Sequence, residues 1–248
     1  MIRTLLIITG ASLVLCAASL GGAAALGGND LARHGWAWTF NDDGEEHTVH
    51  FDRAERGPRV SRTLAWTGGD RLEIRVPAEV VYVQGAEASV EVSGVRSQVD
   101  RIRVTGGRIA FADDDSDHVV FGWHNSPGLR ITVTAPSVRA FALSGSGDLS
   151  IRDYDQPSMA VSIRGSGDVD AAGRTETLEL DIRGSGEADL SALEARDADV
   201  EISGSGEAAV GPTGAARITI TGSGDVELTR RPASVTQNIS GSGDVNQR

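Results

Sequence analysis

The sequence predicts an all-β protein, built as a single-stranded parallel β-helix with about 19–20 residues in each coil. Gly-Ser-Gly followed by Asp or Glu occurs six times, at intervals of 20, 19, 20, 18 and 19 residues, beginning at Gly145, Gly165, Gly184, Gly204, Gly222 and Gly241. A unit of this length cannot bury its own apolar face and must stack on copies of itself. Aromatic residues make up only 4% of the chain. This composition favours a thin aliphatic core.

Apolar residues alternate with polar ones on both sides of each Gly-Ser-Gly, and this period of two is typical of strands. The position two residues before the first glycine is aliphatic in all six copies: Leu143, Ile163, Ile182, Ile202, Ile220 and Ile239. Two residues earlier stand Phe141, Val161, Leu180, Val200, Ile218 and Gln237. A second alternation follows the acidic residue, as in Leu149 and Ile151. Each coil should therefore hold two short strands around a glycine corner.

Glycine suits such a corner because it alone adopts positive φ and allows close backbone approach without steric cost. Between one coil and the next we expect variable, turn-rich loops at Asp153–Ser158, Gly173–Thr177 and Gly211–Ala215. Ser191–Ala198 is the best remaining helix candidate, but it is too short to be stable alone. We therefore expect almost no helix after the N terminus.

Residues 1–25 have the pattern of an export signal. Arg3 precedes an apolar run, and Ala23 to Ala25 offer a small-residue cleavage site. The uncharged stretch from Thr4 to Gly28 is also long enough for an uncleaved membrane anchor. Cys16, the single cysteine, follows Leu15 rather than the small residue that lipid-modifying processing requires. Export is expected in either case, and cleavage would remove the only thiol.

Residues 26–60 are predicted to form a polar linker, followed by a β-helix domain over 61–248. Trp36 and Trp38 alternate with Ala37 and Thr39, which indicates either a short strand or a disordered spacer with aromatic side chains. Within the domain, residues 61–140 should form irregular first coils and residues 141–248 regular ones. The strands predicted in the irregular part are Asp70–Val76, Val80–Gln84, Ser89–Val92 and Arg101–Val104.

One column of carboxylates is the feature that could carry chemistry: Asp148, Asp168, Glu187, Glu207, Asp225 and Asp244. Stacked on successive rungs, these groups repel one another unless they are solvated, paired or bridged by cations. We interpret the column as a solvated edge that accepts hydrogen bonds from turn amides. Calcium between rungs is the alternative, because hard cations prefer oxygen ligands.

Other acidic and histidine clusters give no specific metal signal. Asp113, Asp114, Asp115 and Asp117 lack the glycine and the distal Glu of an EF-hand loop, and His118 and His124 follow in the same predicted surface loop. His47 and His50 flank an acidic patch in the predicted linker. We predict no metal site, no cofactor and no catalytic residues.

Enzymatic activity is not expected. A catalytic site needs one unequal local constellation, as in β-helices that act on polysaccharides, whereas these carboxylates recur uniformly. The serines of Gly-Ser-Gly lack the context of a nucleophile elbow, and no histidine follows His124. The net charge of −12 disfavours nucleic acid and anionic membrane surfaces as partners.

Gly-Ser-Gly-Asp coils behind an export signal resemble a bacterial family described as "putative auto-transporter adhesin, head GIN domain", over roughly residues 60–248. The resemblance implies a right-handed β-helix in the cell envelope and a part in adhesion. It brings no catalytic residues.

We therefore expect a non-enzymatic, adhesin-like binding module located in the periplasm, the cell envelope or at the cell surface. Its partner would be a surface glycan or protein. Membrane contact would occur only through an uncleaved N-terminal segment. The alternative is a periplasmic structural or self-associating protein. Polar residues in the last coil, Gln237 and Gln247, would limit end-to-end polymerisation.

Overall fold

A computed structural model describes residues 36–42, 45–51, 57–112 and 128–247. They divide into two units, and each is described by itself. The first contains a hairpin of β1 (Trp36–Asp42) and β2 (Glu45–Phe51), paired antiparallel from Trp36 opposite Phe51 to Asp42 opposite Glu45. The strand predicted around Trp36 and Trp38 is thus present, with β2 as its partner. The residues of the predicted export signal, Cys16, Asp113 to Asp117, His118 and His124 lie outside the described residues.

The second unit is an all-β solenoid. Its first strands are β3 (Arg59–Ala65), β4 (Arg71–Ile74), β5 (Glu79–Gln84), β6 (Ser89–Val95), β7 (Ile102–Thr105), β8 (Arg108–Phe111) and β9 (Arg130–Ala135), with a one-turn helix α1 (Arg96–Val99) after β6. Then follow β10 (Ala140–Gly145), β11 (Asp148–Asp155), β12 (Ser158–Gly165), β13 (Asp168–Gly184), β14 (Glu187–Gly204), β15 (Glu207–Pro212), β16 (Ala215–Gly222), β17 (Asp225–Leu228), β18 (Ser234–Gly241) and β19 (Val245–Gln247).

Two parallel ladders run along this solenoid. Ladder A contains β8, β4, β10, β12, the second half of β13, the second half of β14, β16 and β18. Ladder B contains β9, β5, β11, the first half of β13, the first half of β14, β15, β17 and β19. Like residues stack above like residues, as the repeat predicts.

The glycine corners join the ladders. The first glycine of each Gly-Ser-Gly has φ between 101 and 135°, in the region that disfavours side chains. The backbones also stack closely, because a Cβ at Gly165 would lie 2.5 Å from the Gly145 carbonyl oxygen. Each corner is bonded to the one before it, and the Ser166 N–H donates to the Gly145 carbonyl at 3.0 Å. Both predicted reasons for glycine are therefore present.

The alternating apolar residues fill the core between the ladders. Leu143, Ile163, Ile182, Ile202 and Ile220 are buried, as predicted for their column. Three buried aromatic rings pack together in the core: Tyr82 and Phe141 have ring centroids 5.1 Å apart, and Phe141 and Tyr154 6.0 Å apart. The tyrosine hydroxyls donate to the carbonyls of Ala135 at 2.8 Å and Ser158 at 2.6 Å. Burial raises the pKa of both phenols.

Part of the predicted loop structure was wrong. Gly173–Thr177 lies within β13, where a register shift between Asp170 and Gly173 takes the place of a loop. Ser191–Ala198, the helix candidate considered too short to be stable, forms no helix, as expected, and lies within β14. The reason is that β13 and β14 remain hydrogen-bonded to each other through these segments. Residues typical of turns therefore form a bend within a strand and not a loop between strands. Short breaks at 156–157 and 213–214 remain between strands.

The N-terminal end of the solenoid is not a simple first coil. The coil formed by β4 and β5 lies between the one formed by β10 and β11 and the one formed by β8 and β9. Antiparallel strands extend the sheet beyond it, with β6 pairing β9, β3 pairing β6, and β7 pairing β8. Strands were predicted over most of β4 to β7, but the antiparallel closure was not.

The C-terminal end is formed by β18 and β19. Every residue of β18 is exposed, including Val235 at 42% and Ile239 at 37%. Among the described residues, β18 pairs only with β16.

In the same part of the chain, no helix has both the length and the apolar character needed to cross a membrane.

Candidate functional site

Five of the six carboxylates predicted to form one column stack on the outside of ladder B, from Asp148 to Asp225. The register places Asp148 beside Asp168, Asp168 beside Glu187, Glu187 beside Glu207, and Glu207 beside Asp225. All of these residues are exposed. Each of them is the first residue of a strand of ladder B, so each carboxylate stands immediately after a glycine corner. We call this row, extended as described next, the acidic row.

The acidic row is longer than the repeats indicate, because Glu79 begins β5 and pairs with Asp148. Beyond Glu79 the row ends in a cation, since Arg130 Nη2 lies 2.8 Å from Glu79 Oε2. Sequence reasoning missed both residues, because no Gly-Ser-Gly precedes them. The signal available for Glu79 was its place before the alternating strand Val80–Gln84. Nothing local marks Arg130.

A second outward column runs beside the acidic row, two residues further along each strand. It adds Asp170 and Asp189 in adjacent coils and Glu227 near the C-terminal end. Ser150 Oγ donates to Asp170 Oδ2 at 2.8 Å. A groove of about 420 Å³ lies on this face, lined by Glu187, Glu207, Ala208, Ala209, Asp225, Val226, Glu227 and Asn246. The outer side of ladder B is therefore a continuous anionic face.

Burial and mutual repulsion act together on one carboxylate of the row. The pKa of Asp148 is raised, first by partial burial and then by the charges of Asp168, Glu79 and Asp170. An exposed pair elsewhere behaves oppositely, because Arg174 Nη2 lies 2.6 Å from Asp155 Oδ2 and holds the pKa of Asp155 below its usual value. The carboxylates around Asp148 are thus close enough to act on one another.

One turn amide bonds to the row in the way that the sequence analysis expected of the whole column. The Asp244 N–H donates to Asp225 Oδ1 at 2.9 Å, which links the last two rungs. Within the described ranges, no three Asp, Glu, His or Cys side chains converge as a metal site would require. His47 and His50 lie in β2, opposite Phe40 and Ala37. The prediction of no metal or catalytic residue stays a prediction.

The serine of each Gly-Ser-Gly corner is exposed. Its backbone joins the stack, as in the Ser185 N–H that donates to the Gly165 carbonyl at 2.9 Å. The second glycine is buried instead in the first five corners, and a Cβ at Gly186 would lie 2.7 Å from Ile163 Cγ2. These contacts give the corner a structural role that needs no chemistry of the serine.

A larger groove lies on ladder A. It has a volume of about 580 Å³, and its lining includes the ion pair of Arg139 and Asp70, at 3.3 Å, together with Met159, Glu179 and Asp199. The groove is open and mixed in charge. It gathers no nucleophile, base and orienting group of the kind that catalysis needs.

Comparison with solved structures gives matches to the fold. A protein of Bacteroides fragilis described as a "putative adhesin" aligns with a TM-score of 0.57 and 17% identity, covering 77% of this chain and 97% of its own. A protein of Parabacteroides distasonis described as a "putative lipid binding protein" aligns with a TM-score of 0.51 and 18% identity, with the same coverage. At these identities the likeness shows the fold alone. A comparison with curated proteins gave no match.

A family model matches residues 70–232. This range holds β4 to β17 and so includes the acidic row from Glu79 to Asp225. The resemblance inferred from the Gly-Ser-Gly repeats is therefore confirmed. The chain belongs to the family described as "putative auto-transporter adhesin, head GIN domain".

Proposed function

We propose that the protein is an exported, non-enzymatic, adhesin-like binding module of the cell envelope, and that it binds through the anionic face of ladder B. The observation that carries this proposal is the uniform stack of carboxylates on successive rungs, from Glu79 to Asp225. Family membership supports the adhesin-like class. The export signal expected in residues 1–25 supports the location.

An extended face suits a partner that is itself extended. Solenoids present long surfaces in which each repeat offers the same groups at a constant interval, here about 4.8 Å. A surface glycan or protein with repeated positive or hydrogen-bond-donating groups would match that interval over several rungs. Weak contacts at each rung would then add along the row.

A periplasmic structural protein is the competing function. It would use the same fold without exposing the anionic face to another cell. The lipid binding in the name of the Parabacteroides distasonis protein is less compatible with this surface, because carboxylates repel anionic headgroups. Location separates the two functions most directly.

The first test is protease accessibility of an epitope tag after the C terminus, with and without permeabilisation of the outer membrane. The proposal expects cleavage of the tag in intact cells and loss of cell adhesion to a panel of immobilised glycans and matrix proteins when the gene is deleted. A tag that is cleaved only after permeabilisation would support the periplasmic structural function instead.

The second test asks whether the anionic face is the binding surface. Asp168→Asn, Glu187→Gln and Glu207→Gln together remove three consecutive charges from the acidic row. The matched control removes three charges from the outside of ladder A: Glu179→Gln, Asp181→Asn and Glu201→Gln. Adhesion should fall with the first set and persist with the second. Equal loss with both sets, at equal surface amounts of protein, would contradict the assignment.

A further inference from the structure

The open C-terminal end of the solenoid is the feature that the proposed function does not use. On β18, Val235 and Ile239 are the large apolar residues left exposed in the described part of the chain. Both belong to columns that are buried in the preceding coil, where Ala216 and Ile220 stand beside them. The last rung of the core is therefore uncovered within the described residues.

The direction of the main-chain groups on β18 follows from its bonds to the preceding coil. The Ser234 N–H donates to the Gly214 carbonyl at 3.2 Å, and the Ser242 N–H donates to the Gly222 carbonyl at 2.8 Å. The N–H and C=O groups of one strand residue point to the same side of the strand, and that side alternates from residue to residue. The main-chain groups of the even-numbered residues of β18 therefore point towards β16. The N–H and C=O groups of Val235, Gln237 and Ile239 thus point away from it.

Apart from the polar but uncharged side chain of Gln237, strand β18 carries none of the devices that protect exposed edges. Its sequence, Ser-Val-Thr-Gln-Asn-Ile-Ser-Gly, contains no charge and no proline. Natural edge strands usually use Lys, inward charges, Pro or bulges to prevent pairing with another chain. The opposite end of the solenoid differs, because edge strand β3 carries Arg59 and Arg62 and edge strand β7 carries Arg103. Charged side chains thus mark the N-terminal edges, whereas β18 has none.

We propose that a second copy of this chain covers the end, through antiparallel pairing of β18 with β18 about a two-fold axis at Gln237. In this register Val235 faces Ile239 of the partner subunit, and Ile239 faces Val235 of the partner subunit. All three facing pairs are of the hydrogen-bonded type, because the outward-pointing residues meet. Shifting the register by two residues in either direction would separate Val235 from Ile239.

The same geometry limits assembly to a dimer. A two-fold interface uses the same surface on both copies and leaves nothing open for a third. The N-terminal end closes with antiparallel strands rather than continuing the parallel coils. Pairing of one short strand also buries less surface than a standard interface, so the dimer should be in fast, concentration-dependent exchange.

Sedimentation of the full chain over the micromolar range provides the first test. The expected result is a reversible monomer–dimer equilibrium that ends at two copies. Gln237→Lys, which places two ammonium groups face to face, should weaken dimerisation at least about tenfold. Thr236→Lys is the matched control, because its side chain lies on the outer face, and it should leave the equilibrium unchanged. A monomer at all concentrations, or a dimer unaffected by Gln237→Lys, would overturn the proposal.

Disulfide trapping tests the register. The variant Gln237→Cys is made in a Cys16→Ser background. In the proposed dimer the two cysteines at position 237 face each other across the axis, with Cα atoms about 5.5 Å apart, a distance that a disulfide can span. Asn238→Cys is the control, because in this register the two copies of residue 238 are offset by two residues. Cross-linking of Gln237→Cys alone supports the dimer. Equal cross-linking of both variants contradicts the register, and species larger than a dimer indicate head-to-tail stacking.

Hydrogen exchange distinguishes a second copy from a segment of the same chain. Protection of the amides of Val235, Gln237 and Ile239 should rise with protein concentration. Protection that is strong and independent of concentration would mean that the chain covers its own edge, and it would overturn the proposal.

Discussion

Single residues control this fold most strongly at the glycine corners. Two physical demands meet there, a φ that side chains disfavour and a backbone from the preceding coil within contact distance. Gly145 and Gly165 separate the two demands. Both have positive φ, at 101 and 120°, but a Cβ at Gly145 would meet nothing within 4 Å, whereas one at Gly165 would meet the Gly145 carbonyl.

Replacing these glycines by alanine should therefore have unequal effects. Gly145→Ala should lower the free energy of unfolding by about 1 kcal/mol through backbone strain alone. Gly165→Ala should cost about 1–3 kcal/mol more, because the added methyl also displaces a packed carbonyl. Urea unfolding followed by circular dichroism measures both. Equal losses would show that strain, and not close stacking, accounts for the glycines.

At the scale of elements, each strand supplies one member to columns that run through all the coils. The contribution of a side chain to stability therefore depends on which rung of the column it occupies. Ile202 is fully buried within the solenoid, and Ile239 occupies the same column in the last rung with 37% of its surface exposed. Identical side chains in one column thus provide an internal comparison.

Ile202→Ala should lower the free energy of unfolding by about 2–5 kcal/mol, because it removes buried contacts and leaves a cavity that rigid neighbours cannot fill. Ile239→Ala should cost much less in a monomer, since half of its packing partners are missing. The measurement is denaturant unfolding at a concentration below that of any association. A large loss for Ile239→Ala would mean that the last rung is covered.

The acidic row should also affect stability through its charges. The folded-state pKa of Asp148 is raised, so its contribution to stability is fully present below the ordinary carboxyl pKa and is lost as the pH rises through the folded value. Asp148→Asn should therefore stabilise the protein at neutral pH, by no more than about 0.5 kcal/mol for so exposed a group.

The gain from Asp148→Asn should disappear at low pH and shrink in high salt. Asp155 is the control of opposite sign, because Arg174 lowers its pKa and its contribution is lost as the pH falls. Thermal melts of wild type, Asp148→Asn and Asp155→Asn between acidic and neutral pH give the comparison. A pH-independent gain for Asp148→Asn would indicate a packing effect.

At the scale of the whole solenoid, stability should be distributed unevenly. Each coil contacts only its neighbours, so interior coils gain two interfaces and end coils one. The N-terminal end is reinforced by antiparallel strands, whereas β18 and β19 have no further strand in the described part of the chain.

Native-state hydrogen exchange should therefore show protection that is highest in β12 to β14 and falls towards β18 and β19. The comparison is made at low concentration, where β18 remains unpaired. Uniform protection along the solenoid would contradict a stack of locally stabilised coils and would indicate a single cooperative unit.

The sequence by itself determined the fold class, the length of a coil, the inward columns and the stacking of carboxylates from Asp148 to Asp225. It could do so because the repeat is local: each position recurs about every 19–20 residues, so period and alternation are visible without knowing any contact. The loops assigned to Gly173–Thr177 failed for the same reason, since turn-forming residues do not reveal that a ladder continues beside them.

Only the tertiary structure decided how the two ends are made. Glu79 and Arg130 are 51 residues apart, yet they lie side by side at the end of the acidic row because β9 pairs with β5. The antiparallel closure by β3, β6 and β7, and the outward direction of the main-chain groups of β18, likewise depend on which strands become neighbours. Pairing between distant strands leaves no local period, so repeats define the body of this solenoid and tertiary contacts define its ends.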